Sequence, residues 1–162
     1  MVDITDFRNA MSLLSSAVNV VTTNGVAGQH GFTASAVCSV TDTPATLLVC
    51  MNTATYTYQF FEQNRVLAVN VLAGHHQDLS QTFASKLTSE QRFEKATWHS
   101  LITSSPILDD ALVSFDCEIE QIQRVGTHGI FICRVVAIKQ PQPYLQSEGL
   151  VYFNRGYRQV GI

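Results

Sequence analysis

Leu112-Val113-Ser114-Phe115-Asp116-Cys117-Glu118-Ile119-Glu120 is the stretch whose periodicity is clearest. Val113, Phe115, Cys117 and Ile119 alternate with Ser114, Asp116, Glu118 and Glu120, a period of two that sends successive side chains to opposite faces. It predicts a strand wet on one side. Gln121-Ile122 interrupts the alternation, which is consistent with a β-bulge. After Gly126, Ile130-Phe131-Ile132-Cys133-Arg134-Val135-Val136-Ala137-Ile138 is apolar at nearly every position and predicts a strand covered on both faces.

On either side of this pair the chain reads as further short strands. Residues 18–23 end at Asn24-Gly25, a strong hairpin dipeptide. Residues 32–40, rich in small side chains, supply another strand; 45–51, 66–72 and 150–153 supply three more. Thr5 stands where it would cap a helix carrying Phe7, Met11 and Leu14 on one face. Residues 56–63 predict a brief helix with Phe60 and Phe61 inward. Leu79, Phe83 and Leu87, spaced by four, predict another over 77–87. Six or seven strands with only short helices between them do not alternate as βαβ units. The expected fold is mainly β, an antiparallel sheet closed into a barrel, because closure removes sticky edges.

The chain's 162 residues suit a single domain spanning 1–162. Hydrophobic residues make up 46% and charged residues 14%, which favours an oligomer that hides part of its surface. No apolar run reaches the roughly 18–20 residues of a membrane span. The start, Met1-Val2-Asp3-Ile4-Thr5-Asp6, lacks the basic and apolar regions of a signal peptide, so a cytoplasmic protein is expected. The net charge is −3 and the basic residues are scattered, which argues against nucleic acid or an anionic membrane as partner. Cys38, Cys50, Cys117 and Cys133 are widely spaced in apolar runs and read as reduced, buried, inert thiols.

Neither a Gly-x-Gly-x-x-Gly nor a Gly-x-x-x-x-Gly-Lys motif is present, and Gly25, Gly28 and Gly31 read as turn glycines. Gly31-Phe32-Thr33-Ala34-Ser35-Ala36-Val37-Cys38-Ser39-Val40-Thr41 would let a flat ligand approach the backbone; it reads equally well as a tightly packed strand. Asn52-Thr53-Ala54-Thr55-Tyr56-Thr57, at a strand-to-helix junction, offers hydroxyls and N–H groups to a phosphate, or simply caps the helix. His128 lies in a turn, and by chemistry alone is a solvated residue. His75-His76 has no partner at metal-ligand spacing and reads as loop; His30 and His99 carry no distinctive context. Tyr152, Arg155 and Tyr157 form either a cationic and aromatic clamp or a solvated strand end, and Trp98 reads as core or interface.

Ordered blocks along the chain resemble the flavin reductase family with the FMN-binding split barrel. They include Phe7-Arg8-Asn9-Ala10-Met11, Val18-Asn19-Val20-Val21-Thr22-Thr23, the 31–41 segment with Asp42-Thr43-Pro44, Val69-Asn70-Val71-Leu72, Ala111-Leu112-Val113-Ser114-Phe115-Asp116 and Gly149-Leu150-Val151-Tyr152-Phe153. Within that family the chain resembles the reductases of pyrimidine utilisation and of 4-hydroxyphenylacetate 3-monooxygenase. The resemblance implies a homodimer of split barrels. It implies NADH-dependent reduction of FMN, with FAD the other candidate, by hydride transfer from nicotinamide C4 to flavin N5. It also implies that free reduced flavin passes to a separate monooxygenase component.

The resemblance further implies that Thr33, Ala34, Ser35, Ala36, Ser39, Val40 and Thr41 line the isoalloxazine ring. Asn52 and Thr55 would lie near the ribityl phosphate, Phe83 and Ala84 form a second wall, His128 stand on the nicotinamide side, and Tyr152 and Arg155 close the site. The chain departs from the family at Thr127, where distant members carry Asp, at Ala45, and at Tyr56 and Tyr58, which bear on the flavin tail accepted. Three alternatives stay open. One is a non-catalytic flavin-binding module. Another is a pyridoxine-phosphate oxidase, which would want Arg and Lys absent from 52–57. The third is a metal or thiol hydrolase using His75, His76 or a Cys.

Overall fold

The computed structural model describes residues 1–140 and 148–161. Helix α1 (Ile4–Met11) is followed by strands β1 (Ser16–Ala17), β2 (Asn19–Thr23), β3 (His30–Ala34), β4 (Val37–Asp42) and β5 (Ala45–Asn52). Helix α2 (Tyr58–Asn64), β6 (Val66–Val71), a 3₁₀ turn (Gly74–His76), α3 (Gln77–Phe83) and α4 (Ser89–Phe93) come next. The chain continues through β7 (Trp98–His99), β8 (Ile107–Leu108), β9 (Val113–Val125), β10 (His128–Lys139), β11 (Gly149–Phe153) and β12 (Gly156–Val160). Among the described residues no helix is long and apolar enough to cross a membrane.

The main sheet has seven antiparallel strands in the order β3-β2-β6-β9-β10-β5-β4. Each inner strand sends alternate side chains inward: Val21, Val69, Cys117, Phe131 and Val49 are all fully buried. Tyr58 and Phe61 of α2 plug this core from one end. Fully burying a large apolar side chain stabilises by about 1.5–3 kcal/mol, so these strands set the coil of the sheet. A second core lies behind β2, where Val20, Leu72, Phe83, Leu108 and Leu150 meet.

The expected closed barrel is corrected. Strands β3 and β4 are the two edges of the sheet and are not hydrogen-bonded to each other. They are nevertheless consecutive in the chain, so the single strand expected over 32–40 is two strands parted at Ser35-Ala36. That two-residue link obliges the sheet to coil until its ends come side by side. Ala36 O accepts from Cys50 N at 3.0 Å, which carries the β4–β5 pairing into the link.

Strands β9 and β10 form the longest hairpin, turned by Gly126-Thr127, with Gly126 at φ +56°, a conformation that suits glycine. The bulge falls at Glu120, one residue before Gln121-Ile122, and a second falls at Val136. The wet face expected for β9 holds at Glu118, half-exposed, and Glu120, exposed, but not at Ser114 and Asp116, which are fully buried. The segment before β8 folds over them, and Asp116 accepts from Ile102 N (2.8 Å), Thr103 N (2.7 Å) and Thr103 Oγ1 (2.5 Å). Strand β10 was expected to be covered on both faces; Phe131 and Cys133 are buried, but Ile130 and Ile132 on the other face are half-exposed.

Smaller corrections have local causes. Asp3, not Thr5, caps α1, its carboxylate accepting from Thr5 N at 2.7 Å and Asp6 N at 3.2 Å. Helix α1 has no buried residue; Phe7, Met11 and Leu14 stand exposed. In α2 the inward pair is Tyr58 and Phe61, and Phe60 lies half-buried against His30. Helix α3 stops at Phe83, because Thr88 starts α4 with a capping box to Gln91 and leaves Leu87 exposed. Asn24-Gly25 does open a hairpin, but its loop runs to Gln29. Strand 150–153 is followed by β12, joined by Asn154 and Arg155 at φ 47° and 59°. Cys117 and Cys133 are buried, and burial pushes the Cys133 thiol up to about 12; Cys38 is exposed and Cys50 half-buried because edge strand β4 leaves that face open.

Candidate functional site

A cavity of about 1100 Å³ opens where the two edges of the sheet meet. One wall is the end of β3 and the link to β4, Thr33-Ala34-Ser35-Ala36, with Cys50 and Asn52 of β5 beside it. Short side chains keep this wall close to the backbone. Thr33 Oγ1 is turned away to donate to Ser80 O at 2.5 Å, which docks α3 behind β3. The facing wall is Phe83-Ala84-Ser85-Lys86, followed by the start of α4. Phe83 is held edge-on between Phe93 (5.1 Å) and Trp98 (5.6 Å), so its ring is fixed.

Arg92 ties the two walls together. Its Nη1 donates to Gly31 O at 2.8 Å and its Nη2 to Ser85 O at 2.5 Å, while the buried Nε has no hydrogen-bond partner among the described residues. The cavity therefore carries two basic groups, Lys86 and Arg92, on a chain of net charge −3. Sequence reasoning missed both, because they lie fifty or more residues along the chain from the small-residue wall. At the expected anion segment, Asn52 Oδ1 accepts from Ala54 N (2.9 Å) and Thr55 Oγ1 donates to Asn52 O (2.8 Å). These groups serve their own turn, and none of them caps α2, whose N-cap Thr57 makes no side-chain cap hydrogen bond.

Of the residues singled out from the sequence, the cavity brings together Thr33, Ala34, Ser35, Ala36, Asn52, Thr55, Phe83 and Ala84. His128 stands one strand away, directly across the ladder from Asn52, exposed, with Nδ1 2.9 Å from Thr127 Oγ1. The turn before it accepts from Thr53 through Thr127 O at 3.0 Å, so His128 and the cavity lip form one connected unit. Ser39, Val40 and Thr41 lie exposed on edge strand β4, outside the cavity of the single chain. Tyr152 and Arg155 also lie outside it: Tyr152 packs edge-on to Tyr157, and Arg155 donates to Asn9 Oδ1 at 2.5 Å. Tyr157 does approach, its hydroxyl 2.8 Å from Ser80 Oγ behind the Thr33 wall.

His75 and His76 are not a plain loop. The fold brings Asp110 Oδ2 to 3.1 Å from Nε2 of each. His76 is mostly buried, and its Nδ1 accepts from Ala73 N at 3.0 Å, which leaves the ring proton on Nε2, facing Asp110. A cation at that Nε2 would need the proton moved to Nδ1, against the Ala73 N–H. Burial holds His76 below its ordinary pKa despite Asp110. For Asp110 burial works upward, but the hydrogen bond from His75 and the close approach of His76 outweigh it and keep the carboxyl low.

Comparison with known proteins gives this geometry its context. The sequence profile described as "Flavin reductase like domain" matches residues 11–161. The chain belongs to this family. It is 54% identical over 155 residues to the FMN reductase (NADH) RutF of Serratia proteamaculans (strain 568), covering 96% of this chain and 87% of that one. A candidate flavin reductase from Haemophilus somnus 129PT, known from its crystal structure, is 53% identical with a TM-score of 0.93, covering 98% of this chain and all of that one. The flavin reductase PheA2 is 28% identical with a TM-score of 0.85, covering 99% and 100%.

The cavity's chemistry fits what a flavin reductase must hold. Its small-residue wall leaves room for a flat ring, and Lys86 is a basic group not held in a hydrogen bond among the described residues, whereas Ser85 donates to Thr82 O and Arg92 to Gly31 O and Ser85 O.

Proposed function

We propose that this chain is a single-domain, NADH-dependent FMN reductase that works as a homodimer and hands reduced flavin to a separate monooxygenase. The observation that carries the reading is 54% identity, over 96% of the chain, to a protein named for that activity. The cavity supports it, with short side chains at one end and basic groups at the other. FMN supplies the hydride acceptor, N5, for the hydride that leaves C4 of a dihydronicotinamide.

The residues contribute position rather than proton chemistry. Thr33 to Ala36 carry the ring, Phe83 and Ala84 bound it from the facing wall, and Lys86 takes the phosphate. Arg92 keeps the two walls at a fixed spacing through its bonds to Gly31 and Ser85. His128, at the lip beside Asn52, orients the nicotinamide; no base is needed, because a hydride leaves the donor without proton abstraction. Holding donor and acceptor at near-attack distance can remove about 7 kcal/mol or more from a barrier. The homodimer is supported by apolar surface left uncovered, including Ile130 and Ile132 outside β10, Val40 at 51% exposure, and Phe7 at 56% on α1.

The test mixes protein with NADH and FMN and follows NADH absorbance. FMN-dependent loss of NADH is expected, and FMN binding without it would leave the non-catalytic module instead. In His128→Ala the KM for NADH should rise more than FMN affinity falls; unchanged NADH kinetics would remove His128 from this role.

A further inference from the structure

The cavity has more room than the flavin ring and phosphate use. Its volume of about 1100 Å³ compares with roughly 300–1,000 Å³ for pockets that enclose a whole drug-sized ligand. The unassigned part is an aromatic corner at the mouth, formed by His30, where β3 begins, and Tyr56, in the loop before α2. His30 stacks on Phe60 with ring centroids 3.4 Å apart and planes 21° apart. Tyr56 stands edge-on to both, 6.0 Å from His30 and 5.2 Å from Phe60. A tyrosine recruited to pack a core hides its ring, yet Tyr56 is 72% exposed. Burial also holds His30 below its ordinary pKa, so at neutral pH it presents an uncharged ring, with the Glu90 carboxylate in the same mouth. Uncharged rings beside a carboxylate disfavour a second phosphate and favour a neutral heterocycle with an amine to donate.

Given the flavin reductase reading, on which this inference rests, we propose that Tyr56 and His30, backed by Phe60, form a stacking subsite for adenine. Adenine's flat faces match the rings, and its exocyclic amine matches Glu90 as acceptor. Two ligands of such an enzyme carry the base: NADH, and flavin supplied as the dinucleotide. Tyr56 is thus a residue that sets which nucleotide tail is held, and does not touch the reacting atoms.

The experiment compares wild type, Tyr56→Ala and Tyr56→Phe in two ratios. One is affinity for FAD relative to FMN, read by quenching of flavin fluorescence without turnover. The other is KM for NADH relative to reduced nicotinamide mononucleotide, which lacks the adenosine. Base–aromatic stacking predicts that Tyr56→Ala shifts at least one ratio by about fivefold or more against the adenine-bearing ligand, with Tyr56→Phe restoring it. A shift in the first ratio assigns the subsite to the flavin tail, and a shift in the second to the nicotinamide dinucleotide. Both ratios unchanged in Tyr56→Ala would overturn the proposal. If wild type bound no FMN in the same titration, the flavin reading itself would fall, an outcome distinct from unchanged ratios.

Discussion

Gly31→Ala tests whether the spacing of the cavity walls is as rigid as the contacts imply. A Cβ on residue 31 would sit 2.8 Å from Phe83 Cε1, 3.1 Å from Phe83 Cδ1 and 3.2 Å from Val21 O. Something must move. Val21 O belongs to the ladder, and Phe83 is 1% exposed and clamped by Phe93 and Trp98, so neither gives way freely. Overpacking of this kind costs about 1–3 kcal/mol. At about 2–4 °C per kcal/mol for a domain of this size, Tm should fall by about 2–12 °C. Because the displaced ring is part of the cavity wall, FMN affinity should fall with it. Thermal unfolding and a flavin fluorescence titration read the two effects. Gly149→Ala, whose Cβ would meet nothing nearer than 3.7 Å among the described residues, is the control. A Gly31→Ala protein that melts within about 1 °C of wild type and titrates FMN identically would refute the picture of two walls locked through Phe83.

Lys86→Ala should weaken FMN binding by up to about fivefold, the scale of an exposed ion pair, and leave riboflavin, which has no phosphate, unaffected; equal losses for both ligands would take Lys86 away from the phosphate. Ile132→Asp places a carboxylate in the uncovered face of β10 and should yield a monomer in light scattering; a dimer of unchanged stability would move the interface elsewhere. Acidification should destabilise the fold, because burial holds His30 and His76 below 6.5 and the unfolded chain then binds protons more readily than the native one. Their contribution is complete above pH 6.5 and is lost as pH falls below it; a Tm that stays level between about pH 7 and 5 would contradict this.

The long hairpin was legible because its strands carry many residues of consistent pattern. Which face is wet was not: Ser114 and Asp116 look like surface residues until the 99–106 segment folds over them and supplies donors. The small-residue wall was legible by composition, but its break at Ser35-Ala36 was not, because period-two reading cannot tell one strand from two that lie at opposite ends of a sheet. Lys86 and Arg92 escaped notice for a related reason, since their nearness to β3 depends on how α3 and α4 pack. Strand β12 was missed because Tyr157, Arg158 and Gln159 offer little apolar alternation, and its turn uses Arg155 where a glycine would have advertised it.

The Ser35-Ala36 link has one more consequence. From Ala34 to Val37 the backbone can stretch no more than about 11 Å, whatever is bound, because covalent geometry limits each step. The wall assigned to the ring thus has a fixed maximum length, set by bonds, while its distance from the facing wall is set by the Phe83 and Arg92 contacts. No such limit governs the opposite end, where Lys86 sits in the short stretch between α3 and α4. An enzyme built this way should be strict about the thickness and breadth of the tricycle it admits, and tolerant of what hangs from it.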